Sequence, residues 1–301
     1  MATLVAFEHG WTEVVSANNL ENDSLEQKAK ELIEQLPQEN LQHIFVLMGG
    51  MKLNGSLLVR GVNSCTKKIP ITGGLAGDQF NFERTLVLSD GTAQECKALA
   101  IGFYGESLHV SIGCETGWKE FGAERIVTRS KGNIVYEIGN KPALKLYEDY
   151  LSEFIKDLPL SGLQFPLNVR NYEGDKEVVR VMMGINEDKS LFFAGDVPQG
   201  SIVRLMKTDV NNLIEGAELS ASLINQYNDK PSLVLAVSCS GRRSVLKQMV
   251  DEELSVIQER LGKNSHLCGF YAFGELAPCS DNLLDCKLHN QTMTLTVIYE
   301  D

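Results

Sequence analysis

"SLVLAVSCSGRRS", residues 232 to 244, carries an apolar run into Ser-Cys-Ser-Gly and then a polar segment, the pattern of a buried strand, a turn and the start of a helix. A second stretch of this kind is "HIFVLMGGMKLNG", residues 43 to 55, where glycines take the place of the serines. Helical patterns precede both. "SLEQKAKELIEQL" (24–36) has Leu25, Ala29, Leu32, Ile33 and Leu36 at helical spacing, and "NNLIEGAELSASLINQY" (211–227) is its counterpart. Helical patterns also follow both: "NGSLLVRGV" (54–62), and a run with Val245, Leu246, Met249, Val250, Leu254 and Ile257 on one side. The strands "IPITGG" (69–74) and "CGFYAFGEL" (268–276) come next, running on into small-residue-plus-acid steps, Gly77-Asp78 and Gly274-Glu275. Helix, strand, turn, helix, strand, strand therefore occurs twice. We read a worn internal duplication whose halves pair about a pseudo-twofold axis, with equivalent strand ends facing a shared cleft.

Working outward, a strand is expected at Thr3 to Phe7, and further strands in "RTLVLSD" (84–90), "ALAIGFYG" (98–105), "LHVSIGC" (108–114) and "GSIVRLMK" (200–207). "PALKLYEDYLSEFI" (142–155) reads as a helix, and "EVVRVMMGINEDKSLFFAGD" (177–196) as a hairpin turning at Asn186 to Lys189. The closing "CKLHNQTMTLTVIYED" (286–301) alternates from Met293, with Met293, Leu295, Val297 and Tyr299 on a buried face and Thr292, Thr294 and Thr296 opposite. The same parity carried back puts His289 and Gln291 on the inner face, where they either cap a core or line a pocket. The fold class is α/β (α+β), with mixed, largely antiparallel sheets, layered helices and two pseudo-repeated halves. The regions are 1–140 and 141–301.

With 43% hydrophobic and 23% charged residues over 301 positions, the chain can bury a sizeable core. Its net charge of -12 and lack of basic clusters argue against nucleic acid, whose phosphates need a basic face. No apolar run approaches the length that spans a bilayer, and the start lacks a leader pattern, so no membrane is implied and the expected location is cytoplasmic. Seven cysteines, at 65, 96, 114, 239, 268, 279 and 286, make no disulfide framework and are expected to be mostly reduced.

The chemistry concentrates after the two buried strands. A helix beginning at Arg242 and Arg243, with Ser238, Cys239 and Ser240 before it, suits a small anion such as a carboxylate. The plainer reading is a serine cap and two solvated arginines. Asp78 and Glu275 at glycine-rich strand ends could accept from a ligand amine, or could simply hold turns. His289 and Asn290 would complete the wall of such a pocket. Cys239 stands between strand and helix as a thiol nucleophile would, yet a cysteine-phosphatase loop needs arginine where Val245 stands, and no nucleophile elbow or phosphate loop is present. Zinc would have to draw on Cys279, Cys286 and His289 without a paired cysteine knuckle, and haem on His289 or His9 as axial ligand. No metal site is assigned.

Taken in order, "ITGGLAGDQFNFERTLV", "GAERIVTRSKGNIVYEIGNKPALKLYEDYL", "PLSGLQFPL", "FAGDVPQGSIVRLMK", "SCSGRRSVLKQMVDEEL", "GFYAFGELAP" and "LHNQTMTLTVIYE" resemble successive blocks of the FIST domain, the F-box and intracellular signal transduction sensory module. The resemblance implies a bacterial ligand-sensing protein without catalysis, with amino acids among the proposed ligands; one branch binds haem and senses nitric oxide. Motif positions carried over are Gly73, Gly74, Gly77, Asp78, Asp196, Gly241, Arg242, Gly274, Glu275, His289, Asn290 and Thr292. The expected ligand contacts are Gly74, Asp78, Ser238, Cys239, Arg242, Glu275, His289 and Asn290. Family members begin with a further strand-helix-strand block, so the N-terminal half is read as shortened, which would leave an edge for a homodimer. Output would pass through a signalling protein partner. The alternatives are a haem-binding nitric oxide sensor and a cysteine-dependent enzyme using Cys239.

Overall fold

The computed structural model describes residues 4–66, 68–151, 158, 160–170, 177–224, 230–278 and 283–301. Its first part comprises β1 (Trp11–Ala17), α1 (Asn22–Glu34), β2 (Leu41–Gly49), α2 (Gly55–Cys65), β3 (Ile71–Ala76), the small hairpin β4 (Val87–Ser89) and β5 (Thr92–Gln94), β6 (Ala98–Tyr104) and β7 (Leu108–Glu115). The middle adds β8 (Lys119–Lys131), β9 (Ile134–Ile138), β10 (Lys141–Pro142), α3 (Leu144–Tyr150), β11 (Leu167–Arg170), β12 (Val178–Arg180), β13 (Met182–Ile185), β14 (Leu191–Phe193) and β15 (Ile202–Lys207). The last part holds α4 (Val210–Ser222), β16 (Ser232–Cys239), α5 (Ser240–Leu246), α6 (Val250–Leu261), β17 (Ser265–Ala277), β18 (Lys287–His289) and β19 (Met293–Glu300).

The first sheet has the order β1-β6-β2-β3-β17-β16-β19-β7, with β18 paired to β17. Its two parallel pairs, β2 with β3 and β16 with β17, meet antiparallel at β3 and β17. Antiparallel β6 flanks one pair and antiparallel β19 the other. This is the duplication read from the sequence, with β6 as the outer strand of the first copy, while the strand expected at 84–90 folds off as part of the β4–β5 hairpin. Register makes the pseudo-symmetry concrete. Gly49 pairs with Ala76, Ala76 with Ala272, and Ala272 with Cys239, so the carboxyl ends of β2, β3 and β16 converge at one level of the sheet.

Apolar faces hold the helices on. α1 buries Leu25, Ala29, Leu32 and Ile33, and at Gly61 of α2 an added Cβ would sit 2.2 Å from the Glu26 carbonyl of α1, so that approach needs glycine. Asn54 caps α2 through Ser56 N (3.0 Å), and Asp209 caps α4 through Asn212 N (2.9 Å). Met293, Leu295 and Val297 pack with Ala217, Ala221 and Ile257 of α4 and α6. Thr292, Thr294 and Thr296 are buried too, so the expected polar outer face of β19 is covered. The Thr296 hydroxyl bonds Thr72 (2.7 Å), which bonds His43 (2.8 Å), a polar link between strands separated in the sheet order.

The second sheet is antiparallel throughout, in the order β12-β11-β15-β8-β9-β14-β13, with β10 on β9. Its end strands are consecutive in the chain, joined at Val181, so it curls nearly to a barrel around Val127, Tyr147, Leu167, Phe193 and Val203. The boundary at residue 140 falls between β9 and β10 inside this sheet. The strand expected at Thr3 to Phe7 is not there: the described residues 4–7 are irregular, and the first strand is β1. The helix expected over 142–155 forms over Leu144–Tyr150 and ends at Leu151; residues 152–155 lie outside the described residues, as do residues 225–227 of the helix expected before β16. The 177–196 hairpin turns where expected, with Lys189 N donating to Asn186 O at 2.9 Å, but its first arm splits at Val181 between β12 and β13.

Candidate functional site

A cleft of about 490 Å3 opens where the carboxyl ends of β2 and β3 face the second sheet. Ligand sites of α/β sheets favour such switch points outside strand carboxyl ends. Gly50, Met51, Leu53 and Asn54 come from the turn after β2, and Phe80 and Phe82 from the loop after β3. Met182, Met183, Phe192 and Phe193 come from β13 and β14, with Phe273 and Leu288 closing the floor. Phe82 stacks on Phe273 with centroids 5.7 Å apart, and Phe80 lies 6.2 Å from the same ring. A narrow continuation of about 20 Å3 leads to Cys239, Ser240, Gly241, Asn290 and Gln291.

None of the described lining residues is charged. The polar side chains in the main cleft are already engaged: Asn54 Nδ2 donates to Asp196 Oδ1 (2.7 Å) and Asn133 Nδ2 to Phe193 O (2.9 Å). Asp196 also takes Arg60 Nη1 at 2.7 Å, tying α2 to the second sheet beside the cleft.

Of the eight expected ligand contacts, Cys239 and Asn290 border this space, both in the continuation. Arg242 is a correction. Its side chain is wholly buried; Nε and Nη2 each lie 2.7 Å from Glu253 Oε1, and its remaining donors go to the carbonyls of Thr116, Leu213 and Gln291. Ser238 is part of the same network, its hydroxyl donating to Glu253 Oε2 at 3.3 Å. No donor of this arginine is left for an anion, and α5, with seven residues, forms a short bracket rather than an anion site.

Gly74 is a close-packing position, where a Cβ would lie 2.7 Å from Val237 Cγ1. Asp78 accepts from the backbone N of Phe82 (3.1 Å), Glu83 (2.8 Å) and Arg84 (3.2 Å), the turn-holding role. It thereby fixes the loop that carries Phe80 and Phe82 into the cleft. Asn290 accepts from Val181 N at 3.2 Å and donates to His289 O at 3.0 Å, joining the sheets.

Glu275 and His289 are register partners, as expected of consecutive strand ends, but neither lines the cleft. Glu275 Oε2 accepts from Thr292 N (3.1 Å) and Oγ1 (2.9 Å), while burial pushes its carboxyl up to about 8. His289 Nε2 lies 3.1 Å from Ala277 O, and burial together with the Arg180 charge lowers its pKa to about 3. It is neutral at pH 5 to 8, and of the two places the sequence left open for it His289 takes the first, a buried structural residue rather than part of a pocket wall. Burial, followed by the neighbouring Glu275, pushes the Cys239 thiol well above its usual pKa. A thiol nucleophile is favoured by the opposite shift.

Haem requires an axial donor at its iron. No histidine is among the described cleft residues, His289 is held by Ala277, and His9 is exposed on the surface beside Glu300. Neither histidine considered for haem therefore reaches the cleft. No cluster of three or more His, Cys, Asp or Glu able to hold a metal occurs among the described residues, and Cys279, considered for zinc, lies outside them. Cys65, Cys96, Cys239, Cys268 and Cys286 are free thiols, while Cys114 is disulfide-bonded. No described helix is long and apolar enough to cross a membrane.

The FIST N domain matches residues 1–141, and the FIST C domain matches residues 143–278. The chain belongs to the FIST family. FIST domains are signal-transduction sensory domains. The N-domain match begins at residue 1, so the first half of the chain is FIST N sequence from its first residue. Similar proteins are an uncharacterized protein of Methanocaldococcus jannaschii, 26% identical over 61% of this chain and 38% of its own length, and one of Mycobacterium bovis, 25% identical over 64% and 50%. A third, uncharacterized, is from Mycobacterium tuberculosis, 23% identical over 81% of this FIST chain and 65% of its own. The chain thus spans less than two thirds of the length of these relatives.

Proposed function

We propose that this FIST protein senses a small, predominantly apolar molecule in the cleft between its two sheets. The observation that carries this reading is the lining: a methionine and phenylalanine surface of ligand size at converging strand ends, with its polar side chains already engaged. The sequence pointed to a carboxylate-bearing ligand such as an amino acid, held by Arg242. With that guanidinium bonded to Glu253 and to main-chain carbonyls, an uncharged ligand is the better match. Met51, Met182 and Met183 suit an adaptable surface, since thioether side chains repack around varied shapes. A ligand there touches loops of the first sheet and strands of the second at once. In this reading occupancy alters how the sheets meet, and a signalling partner in the cytoplasm receives the change.

Ala194 lies at the junction of the cleft and its continuation. Ala194→Trp should fill the space and abolish binding of an apolar probe, 1-methylindole, measured by calorimetry, with the circular dichroism spectrum unchanged. Undiminished 1-methylindole binding by the folded variant would contradict the assignment of the cleft.

A further inference from the structure

We infer that the continuation of the cleft is a polar subsite, built around Gln291, that takes a neutral hydrogen-bond donor at one end of an otherwise apolar ligand. The inference rests on the cleft being the ligand site and adds the chemistry of the ligand's head. Gln291 is fully buried, and its Nε2 donates to Leu163 O at 2.6 Å. Its Oε1 has no hydrogen-bond partner. Exchanging the amide's two ends does not remedy this, because it would set two carbonyl oxygens 2.6 Å apart. The acceptor is therefore fixed, and a buried acceptor without a donor is costly enough to need an explanation.

The explanation is the space beside it. Gln291 lines the continuation, which shares Phe80, Phe82, Leu163, Met183, Ala194 and Phe273 with the main cleft. Its volume of about 20 Å3 admits one small polar group. Ser240 stands on the same wall as a second hydroxyl partner. Gly241 is required for this arrangement, since a Cβ there would lie 2.3 Å from Gln291 Oε1 and displace the amide. The ligand class is then an amphipathic molecule whose hydroxyl, amide or ring N–H meets Gln291 Oε1 while its apolar body lies among the methionines and phenylalanines.

Two isomeric probes separate this from the cleft reading. 3-Methylindole carries a ring N–H, and 1-methylindole has the same composition and nearly the same shape without one. Calorimetric titration of the full chain should give 3-methylindole a roughly tenfold lower Kd than 1-methylindole, the scale of one hydrogen bond to an otherwise unpaired buried acceptor. In Gln291→Met the preference for 3-methylindole should vanish. Equal affinities in the unmodified protein would overturn the subsite and leave the cleft standing. If neither isomer binds, the cleft reading fails and the subsite with it. The comparison of isomers needs no variant, so a failure of Gln291→Met to fold would not rescue the inference.

Discussion

Arg242→Met is expected to destabilise the protein by about 3–5 kcal/mol, the usual cost of removing one partner of a fully buried ion pair. Glu253 Oε1 would lose both of its 2.7 Å contacts while remaining in a site without water access. The carbonyls of Thr116 and Leu213 would lose their donor as well. Adding Glu253→Leu should recover part of the loss, because an apolar pair is better tolerated than one stranded carboxylate. Urea unfolding measures both variants. An unchanged midpoint in Arg242→Met would show that this network is not what fixes α4, α5 and α6 against the strand ends.

Stability should pass through a maximum near pH 6.5 from the combined titration of three buried groups. His43 and His289 fall from 6.5 to about 3 on folding, in both cases chiefly through burial, so between these values the folded state holds fewer protons than the unfolded one. Their contribution is present above pH 6.5 and is lost as the pH falls. Glu275 does the reverse. Its carboxyl rises from 4.5 to about 8, so the folded state holds the extra proton in that window and stability declines as the pH climbs through it. One proton corresponds to about 1.4 kcal/mol per pH unit. Two histidines against one glutamate leave a net gain of about that slope from pH 4.5 to 6.5, and the glutamate alone gives an equal decline from 6.5 to 8. Urea midpoints across pH 4 to 9 measure the curve, and Glu275→Gln should flatten its alkaline side. A decline that persists in that variant would assign the effect elsewhere.

The duplicated core was legible because each copy repeats a full supersecondary unit, and a buried strand between two amphipathic helices leaves a long signature. Arg242 shows where reading by type fails. An arginine at a strand-to-helix turn suits an anion or a buried carboxylate equally well, and its partner Glu253 is a helix residue indistinguishable in sequence from a solvated one. His289 failed through geometry. Parity counted back from Met293 assumes an unbroken strand, but β18 ends at His289 and the chain turns through Gln291, whose φ is +66°. The same turn presents the Gln291 amide to Gly241, so the residue passed over as an inner-face polar side chain carries the unpaired acceptor. The second sheet was underread because β8 and β9, joined around Gly132, alternate only loosely, with bulges between Val127 and Ser130. The cleft itself joins residues near 50, 80, 163, 182–195 and 273, a conjunction that local periodicity does not encode.

Methionine methyl spectroscopy reports on the cleft residue by residue, since three of the eight methionines, Met51, Met182 and Met183, line it while Met206, Met249 and Met293 do not. Titration of the full chain, labelled at the methionine methyls, with 3-methylindole should shift the resonances of Met51, Met182 and Met183 with one common saturation curve and leave those of Met206, Met249 and Met293 in place. Saturable shifts confined to the methionines outside the cleft, or none at any, would contradict a ligand site between the two sheets.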